Sequence, residues 1–204
     1  MKKILSILIA FICINLCAST LEEKMKLNAS KPKDLWMSFT QERTISLLED
    51  VSISKGVLVF DKSGSVRWEI NEPFRSVLIS HKGEALQFEF IDGAWKKISS
   101  DSRVPLEKIV EQVRKISAGD FSEGAYNISE EEGKLILIPS NDGARKFIAK
   151  IAIMPNEDFT AAKTVEIFSP NGDKTLITFE RTIPNPKNIS DAFTTTPLKD
   201  YSPE

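Results

Sequence analysis

The sequence predicts a mainly β fold with a smaller α component, built as one domain of about ten antiparallel strands with two helices against them. Three observations lead to this prediction. From Leu35 onward, apolar residues recur mostly at every second position. Turn residues interrupt these runs at short intervals, as at Lys82-Gly83 and Asp92-Gly93. One longer run near the middle of the chain has helical spacing instead.

Short segments with strand character cover most of the chain. In the clearest one, Val66, Trp68 and Ile70 alternate with Arg67 and Glu69, which predicts one buried and one solvent-facing side. The Asn171-Gly172 pair between two alternating runs is the strongest hairpin signal. The predicted strands are Trp36–Gln41, Gly56–Phe60, Val66–Ile70, Ser76–Ser80, Ala85–Ile91, Trp95–Ile98, Gly124–Ile128, Lys134–Ile138, Arg145–Met154, Thr164–Ser169 and Lys174–Arg181.

Two segments have helical spacing. The first begins at Leu21, includes Met25 and ends near Pro32, because proline disfavours helix in the residue before it. The second carries Leu106, Ile109, Val110, Val113 and Ile116, with Pro105 in its first turn and Gly119 at its end. Many short strands are typical of a sandwich or of a curled, barrel-like sheet. The second helix either plugs the open side of such a sheet or simply completes the core.

The first eighteen or so residues are expected to be a cleavable export signal. Lys2 and Lys3 precede an uncharged run from Ile4 to Leu16, which is shorter than the roughly 20 residues of a membrane-spanning helix. Cleavage after Ala18 or Ser19 would leave residues 19–204 as a single domain in the periplasm. The alternative is a lipoprotein acylated at Cys17. Acylation needs Gly, Ala or Ser directly before the cysteine, and Leu16 fits that requirement poorly.

The composition of the chain argues against some classes of binding partner. Without Lys2 and Lys3, the formal charge changes from −2 to about −4, and charges of both signs alternate along the chain. This pattern argues against nucleic acid as a partner. No apolar run after the signal is long enough to span a membrane. We therefore expect a soluble periplasmic protein, and a monomer.

The search for catalytic chemistry gives no candidate residues. His81 is the single histidine, so a two-histidine metal site is not possible, and no Ser-His-Asp signature is present locally. Glu130-Glu131-Glu132 are consecutive carboxylates whose side chains point in different directions. The chain has no glycine-rich phosphate loop. We expect no cofactor, no metal and no enzymatic activity.

The order of several short motifs resembles the bacterial outer-membrane lipoprotein carrier family, LolA and its relatives. Phe39-Thr40-Gln41 comes first, then Gly56-Val57-Leu58, then the run from Lys62 to Glu69 that contains Arg67-Trp68, then Pro73. The hairpin at Asn171-Gly172 and the ending Asp191-Ala192-Phe193 are similar to the last strands of that family. The resemblance covers roughly residues 21 to 196.

The resemblance implies an unclosed antiparallel half-barrel of about ten to eleven strands, with helices lidding its concave apolar face. It also implies a carrier that takes lipoprotein acyl chains from an inner-membrane ABC lipoprotein-releasing complex and passes them to an outer-membrane acceptor. Lys62 occupies the place of a basic lid latch, although the family usually has Arg-Pro there and lysine lacks the planar fork of arginine. The expected acyl cavity is lined by Phe39, Val66, Trp68, Ile70, Phe88, Phe90, Leu106, Ile109 and Val113.

Other functions remain open at this point. The interior of a small closed sheet can be filled by side chains or can leave room for a ligand. The chain could be a sensor domain, or a carrier of another acyl amphiphile such as a glycolipid or pigment ester. Acylation of Cys17 would instead indicate an anchored lipoprotein acceptor.

Overall fold

A computed structural model describes residues 20–29, 34–47, 50–98, 125–195, 198 and 200–203. Within these residues, eleven strands form one antiparallel sheet in the order β6-β5-β4-β3-β2-β1-β11-β10-β9-β8-β7. β6 and β7 are its two edges, so the sheet is not closed. The predicted half-barrel of about ten to eleven strands is confirmed.

The strands agree closely with the predicted segments. Their bounds are β1 Leu35–Ile45, β2 Asp50–Phe60, β3 Val66–Glu72, β4 Ser76–His81, β5 Glu84–Ile91, β6 Ala94–Ile98, β7 Tyr126–Glu131, β8 Lys134–Pro139, β9 Lys150–Pro155, β10 Ala162–Phe168 and β11 Lys174–Pro184. The described helices are α1 Leu21–Ala29, α2 Asp142–Arg145 and a 3₁₀ helix, Ile189–Phe193.

The longest pairings lie at the centre of the sheet. β1 pairs along its whole length with β2, from Leu35 opposite Phe60 to Ile45 opposite Asp50. On its other side β1 pairs with β11, which joins the first half of the chain to the last. The β1–β2 hairpin extends past β3, whose pairing with β2 ends at Glu72 opposite Lys55. The two halves therefore share one continuous sheet.

The segment before β9 differs from its prediction. The sequence predicts a strand over Arg145–Met154, but α2 occupies residues 142–145 and β9 begins at Lys150. The Asn141 side chain accepts a hydrogen bond from the backbone N–H of Ala144 at 2.7 Å. Asparagine is favoured both in turns and at helix N-caps, so the sequence signal does not separate the two.

A capping box starts α1. The backbone N–H of Glu23 donates to Thr20 Oγ1 at 3.2 Å, and the backbone N–H of Thr20 donates to Glu23 Oε2 at 3.1 Å. These two bonds satisfy donors that a helix start otherwise leaves free. The predicted helix from Leu21 is confirmed. The second predicted helix, with Leu106, Ile109 and Val113, lies outside the described residues. In the part of the chain that is described, no helix has the length and apolar character needed to cross a membrane.

The sheet is covered on both of its faces. One face packs against α1, and we call it the interior face; it holds the larger apolar cluster. The opposite face, here the second face, packs against the C-terminal segment that contains Ala192 and Phe193. Because successive side chains of a strand point to opposite faces, apolar residues at consecutive positions are needed to supply both clusters.

Candidate functional site

The interior face is an apolar surface that continues across most of the sheet. Directly paired residues share a face, so the strand register assigns each side chain to one side. Leu58 lies opposite Met37 on one side and Trp68 on the other, and Trp68 lies opposite Leu78. The buried members of the cluster on the strands are Leu35, Met37, Phe39, Leu58, Phe60, Val66, Trp68, Leu78, Leu135, Leu137, Ile151, Ile153, Ala162, Val165, Ile167, Ile177 and Phe179.

Four of the predicted lining residues lie together on this face. Phe39, Val66 and Trp68 are buried members of the interior cluster, and Ile70 packs against it while remaining partly exposed. The Phe39 and Trp68 rings are 4.3 Å apart between centroids, and Phe39 meets Phe179 edge-on at 6.4 Å. These rings, from β1, β3 and β11, fill the centre of the face, and β2 lies beneath them between β1 and β3.

Gly56 allows the Phe39 ring to lie against the backbone of β2. Phe39 and Gly56 are paired across β1 and β2. A Cβ at residue 56 would approach Phe39 Cζ to 2.9 Å and would overlap the backbone carbonyl of Glu69. Glycine in a strand interior often marks such a close approach. The Gly-x-Leu pattern of the sequence therefore has a packing reason at this position.

Helix α1 covers the interior face over the C-terminal half of the sheet. Leu21 and Met25 are buried in the interior cluster, and α1 packs against β8. The backbone N–H of Leu21 donates to Glu130 Oε2 at 3.1 Å, and Asn28 Nδ2 donates to the Asp158 carbonyl at 3.1 Å. These contacts place α1 against the end of β7 and the loop that follows β9.

Two of the predicted lining residues are on the wrong face. Phe88 is buried in the second-face cluster, opposite Val77 of β4. Phe90 lies on the same side of β5 but is 38% exposed, with its ring 5.3 Å from that of Trp95. The prediction that both line the same cavity as Trp68 is therefore wrong. β5 turns Gln87, the residue opposite Leu78, to the interior face instead, so the apolar surface ends at β4.

The second face contains a buried ion pair beneath the C-terminal segment. Arg67 is fully buried and Glu69 is nearly so. Arg67 Nε and Nη2 both lie within hydrogen-bond distance of Glu69 Oε2, at 2.8 and 2.7 Å. Arg67 Nη1 donates to the Ala192 carbonyl at 2.9 Å. The predicted solvent-facing side of β3 is thus buried, because the C-terminal 3₁₀ helix covers it.

A hydrogen-bonded chain occupies the β2–β3 turn. Asp61 Oδ1 accepts from the backbone N–H groups of Ser63 and Ser65, and Ser65 Oγ lies 2.8 Å from His81 Nδ1. Burial alone would raise the pKa of Asp61, but the hydrogen bonds from Ser63 and Ser65 outweigh it and lower that pKa. His81 is half-buried and stacks on Phe193, so it ties this turn to the C-terminal segment. The Asp61 carboxylate bonds to serines rather than to His81, so these residues do not form a Ser-His-Asp relay.

The proposed latch residue, Lys62, lies in the same turn. Its side chain is exposed, and its backbone N–H donates to Asp34 Oδ1 at 2.9 Å. The segment predicted to supply the lid helix is outside the described residues. The latch role of Lys62 stays a prediction.

Glu166 forms ion pairs with two lysines. Its side chain lies on the second face, whereas its neighbours in β10, Val165 and Ile167, lie on the interior face. Its Oε1 lies 2.7 Å from Lys134 Nζ and its Oε2 lies 2.7 Å from Lys174 Nζ. The hydrogen bond from Lys134, followed by that from Lys174, lowers the pKa of Glu166. The same bond raises the pKa of Lys134. This cluster joins β8, β10 and β11 through side chains.

A cavity of about 380 Å³ lies where β1, β11 and the β9–β10 loop meet. It is lined by Leu35, Asn156, Asp158, Thr160, Thr182, Pro184 and Asn185. Most of these side chains are polar, and Asn156 Oδ1 already accepts from the Thr160 and Ala161 N–H groups. The cavity is therefore poorly suited to an acyl chain.

The predicted lining was incomplete. It omitted the contributions of β8, β9, β10 and β11, among them Leu137, Ile153, Val165 and Phe179. It also omitted Leu21 and Met25 of α1. The alternation that selected Val66, Trp68 and Ile70 is present in those strands as well, so the same signal could have found them.

Several solved structures align with this chain over most of its length. A DUF1329 family protein from Desulfovibrio piger aligns with a TM-score of 0.48 and 12% identity, over 88% of this chain and 96% of that one. A putative outer membrane lipoprotein-sorting protein domain from Vibrio parahaemolyticus aligns with a TM-score of 0.43 and 12% identity, over 87% and 96%. The LolA superfamily protein NE2245 from Nitrosomonas europaea aligns with a TM-score of 0.41 and 10% identity, over 85% and 96%.

Sequence comparison gives the family. No curated protein sequence matches this chain. The family model described as outer membrane lipoprotein carrier protein LolA matches residues 30–196, which include all eleven strands and the C-terminal 3₁₀ helix. The chain therefore belongs to the LolA family.

Proposed function

We propose that this protein is a periplasmic carrier that shelters the acyl chains of lipoproteins against the interior face of its sheet. One observation carries the proposal: the family model for outer membrane lipoprotein carriers covers the same residues that build this apolar face. Each acyl CH₂ removed from water is worth about 0.8 kcal/mol. An acyl chain that crosses an aqueous compartment therefore needs an apolar surface of this kind. The donor would be an inner-membrane ABC complex and the acceptor a component of the outer membrane.

Side chains fill the described part of the interior face. Phe39, Trp68 and Phe179 are in ring contact, and Met25 of α1 is fully buried against the same cluster. Acyl chains would therefore take the place of side chains rather than enter an open tunnel. Among its contacts with the rest of the protein, α1 bonds to Glu130 and to the Asp158 carbonyl and packs against β8. Displacement of α1 would expose apolar residues of β8 to the cargo.

The test is to purify the protein from its host and to identify copurified acyl material by mass spectrometry. Triacylated protein is expected. The informative variant is Ile70→Glu, because Ile70 packs on the interior face yet is partly exposed, so the charge is tolerated by the fold. Val66→Glu places a charge at a fully buried position of the same strand. It should disrupt cargo binding more strongly, but it also costs more folding stability.

The matched control is Met154→Glu, which adds the same charge to an exposed residue of β9 that is not part of the interior cluster. We expect Ile70→Glu to lose the acylated cargo and Met154→Glu to keep it, with both variants folded by circular dichroism. Normal cargo in Ile70→Glu would contradict the proposed lining. Free glycolipid or pigment in place of triacylated protein would support a carrier of another amphiphile, and the absence of any acyl material would contradict carriage altogether.

A further inference from the structure

The two ends of the sheet differ in exposed apolar residues. At one end β1 leads into β2, β3 into β4, β5 into β6, β8 into β9 and β10 into β11; we call it the apolar rim. Among the described residues, ten large apolar side chains are exposed, and eight of them lie at this end. They are Leu47, Val51, Ile53, Phe74, Phe90, Ile91, Ile138 and Phe147.

The most exposed of these side chains stand on separate connections. Leu47 follows β1 and is 89% exposed, Phe74 lies between β3 and β4 and is 84% exposed, and Phe147 lies between α2 and β9 and is 62% exposed. They are exposed with helix α1 in place, and the bonds of α1 to Glu130 and Asp158 lie at the other end of the sheet. Single exposed apolar residues are ordinary on a protein surface, but their concentration on one rim is not.

The two ends of the sheet also differ in net charge. The apolar rim and its strand ends contain eight basic and eight acidic side chains, a net charge of zero, over the described residues 40–47, 50–55, 72–75, 89–96, 138–150, 168–174 and Asp200, which pairs with Arg75. The opposite end, here the acidic rim, contains four basic and nine acidic side chains, a net charge of −5, over residues 34, 61–65, 81–84, 130–134, 156–161 and 185–191. A protein that is acidic overall thus presents an apolar end without net negative charge, and residues 142–150 of that end contain three basic side chains and one acidic one.

We propose that the apolar rim docks on the surface of a bilayer that contains anionic phospholipid. Apolar side chains on separate turns can each enter the headgroup region, with Arg75 and Lys146 directly beside Phe74 and Phe147. Arg145, Lys146 and Lys150 of the apolar rim are attracted to an anionic surface, and the acidic rim is repelled by it, so the molecule is oriented as well as bound. A fluid interface accommodates several separate tips, whereas a protein partner would need a matching pocket for each of them.

The test measures binding of the purified protein to lipid vesicles by flotation, at low and at high salt. One set of vesicles contains phosphatidylethanolamine and phosphatidylglycerol, and the other contains phosphatidylcholine alone. The apolar variant is Leu47→Ser, Phe74→Ser and Phe147→Ser together, all at exposed positions. The matched control is Leu27→Ser, because Leu27 is 67% exposed on α1, away from the apolar rim. A charge variant, Lys146→Glu with Lys150→Glu, tests the electrostatic contribution.

We expect the protein to bind the anionic vesicles more tightly than the neutral ones, and less tightly at high salt. The triple variant should lose roughly tenfold or more of this affinity, and Leu27→Ser should lose none. The charge variant should lose the preference for anionic vesicles. Absence of binding to anionic vesicles, or equal binding by the triple variant, would overturn the proposal. Binding to native membranes but not to protein-free vesicles would also overturn it, in favour of a protein partner. Cargo content, measured in parallel, reports on acyl carriage separately.

Discussion

Arg67 holds Glu69 through two contacts to the same carboxylate oxygen, and both side chains are buried under the C-terminal segment. The third contact of Arg67, to the Ala192 carbonyl, connects the ion pair to the 3₁₀ helix that covers it. β3 thus contributes buried side chains to both faces of the sheet, since Trp68, between Arg67 and Glu69, belongs to the interior cluster. The covering of the second face and the lining of the interior face are linked through β3.

Arg67→Met should lower the free energy of unfolding by about 3–5 kcal/mol, because it leaves the Glu69 carboxylate buried without its cation. Urea denaturation measures this loss. The double variant Arg67→Met with Glu69→Leu removes both charges and should lose clearly less than the sum of the two single variants. Strict additivity of the single losses would show that the pair is not coupled. Arg67→Met should also expose the segment around Ala192 to proteolysis.

Gly56→Ala should lower the free energy of unfolding by about 3 kcal/mol. The added methyl group meets the Phe39 ring and the Glu69 carbonyl, and the backbone of two adjoining strands has to move. Adding Phe39→Leu relieves the ring contact alone, so the double variant should not recover the loss. Lys55→Ala, one residue away on an exposed position, should change stability by less than about 0.5 kcal/mol. A Gly56→Ala variant as stable as Lys55→Ala would contradict the packing described for this site.

Glu166 gives a pH-dependent contribution to stability. Since the lysine hydrogen bonds lower its pKa in the folded state, the contribution is present above the unfolded value of 4.5. It is lost as the pH falls through the lower, folded-state pKa. Glu166→Gln should therefore cost about 1 kcal/mol at pH 7 and less at pH 3, measured by urea denaturation. The control is Glu157→Gln on an exposed loop, which should change little at either pH. An equal cost of Glu166→Gln at both pH values would contradict the ionic origin.

The strands could be predicted because alternation is a local signal. All eleven predicted segments correspond to strands, and the hairpin at Asn171-Gly172 joins β10 to β11 as expected. The predicted ends of the strands were less accurate. β1 extends to Ile45 and β2 starts at Asp50, because polar residues continue the pairing where the apolar pattern has faded.

The covering of each face could not be predicted. Alternation separates the two sides of a strand, but it does not say which side a distant segment covers. Arg67 and Glu69 look solvent-facing for this reason, and Phe88 looks equally suited to either cluster. The 3₁₀ helix that decides both cases lies more than a hundred residues further along the chain. The capping box at Thr20 and Glu23, in contrast, depends only on a local Thr-x-x-Glu pattern.

Tryptophan fluorescence tests the central claim, that acyl chains bind on the interior face. The chain has three tryptophans. Trp68 belongs to the interior cluster, whereas Trp36 and Trp95 belong to the second face. Each therefore reports on one side of the sheet.

The measurement is a titration of the purified, cargo-free protein with a triacylated lipopeptide, compared among Trp68→Phe, Trp36→Phe and Trp95→Phe. We predict a saturable change in emission that disappears in Trp68→Phe and is kept in the other two variants. Binding of the lipopeptide by Trp68→Phe should persist in a gel-filtration assay, because phenylalanine retains an apolar ring at this position. A change of full amplitude in Trp68→Phe, or no binding of the lipopeptide by the unmodified protein, would contradict the claim.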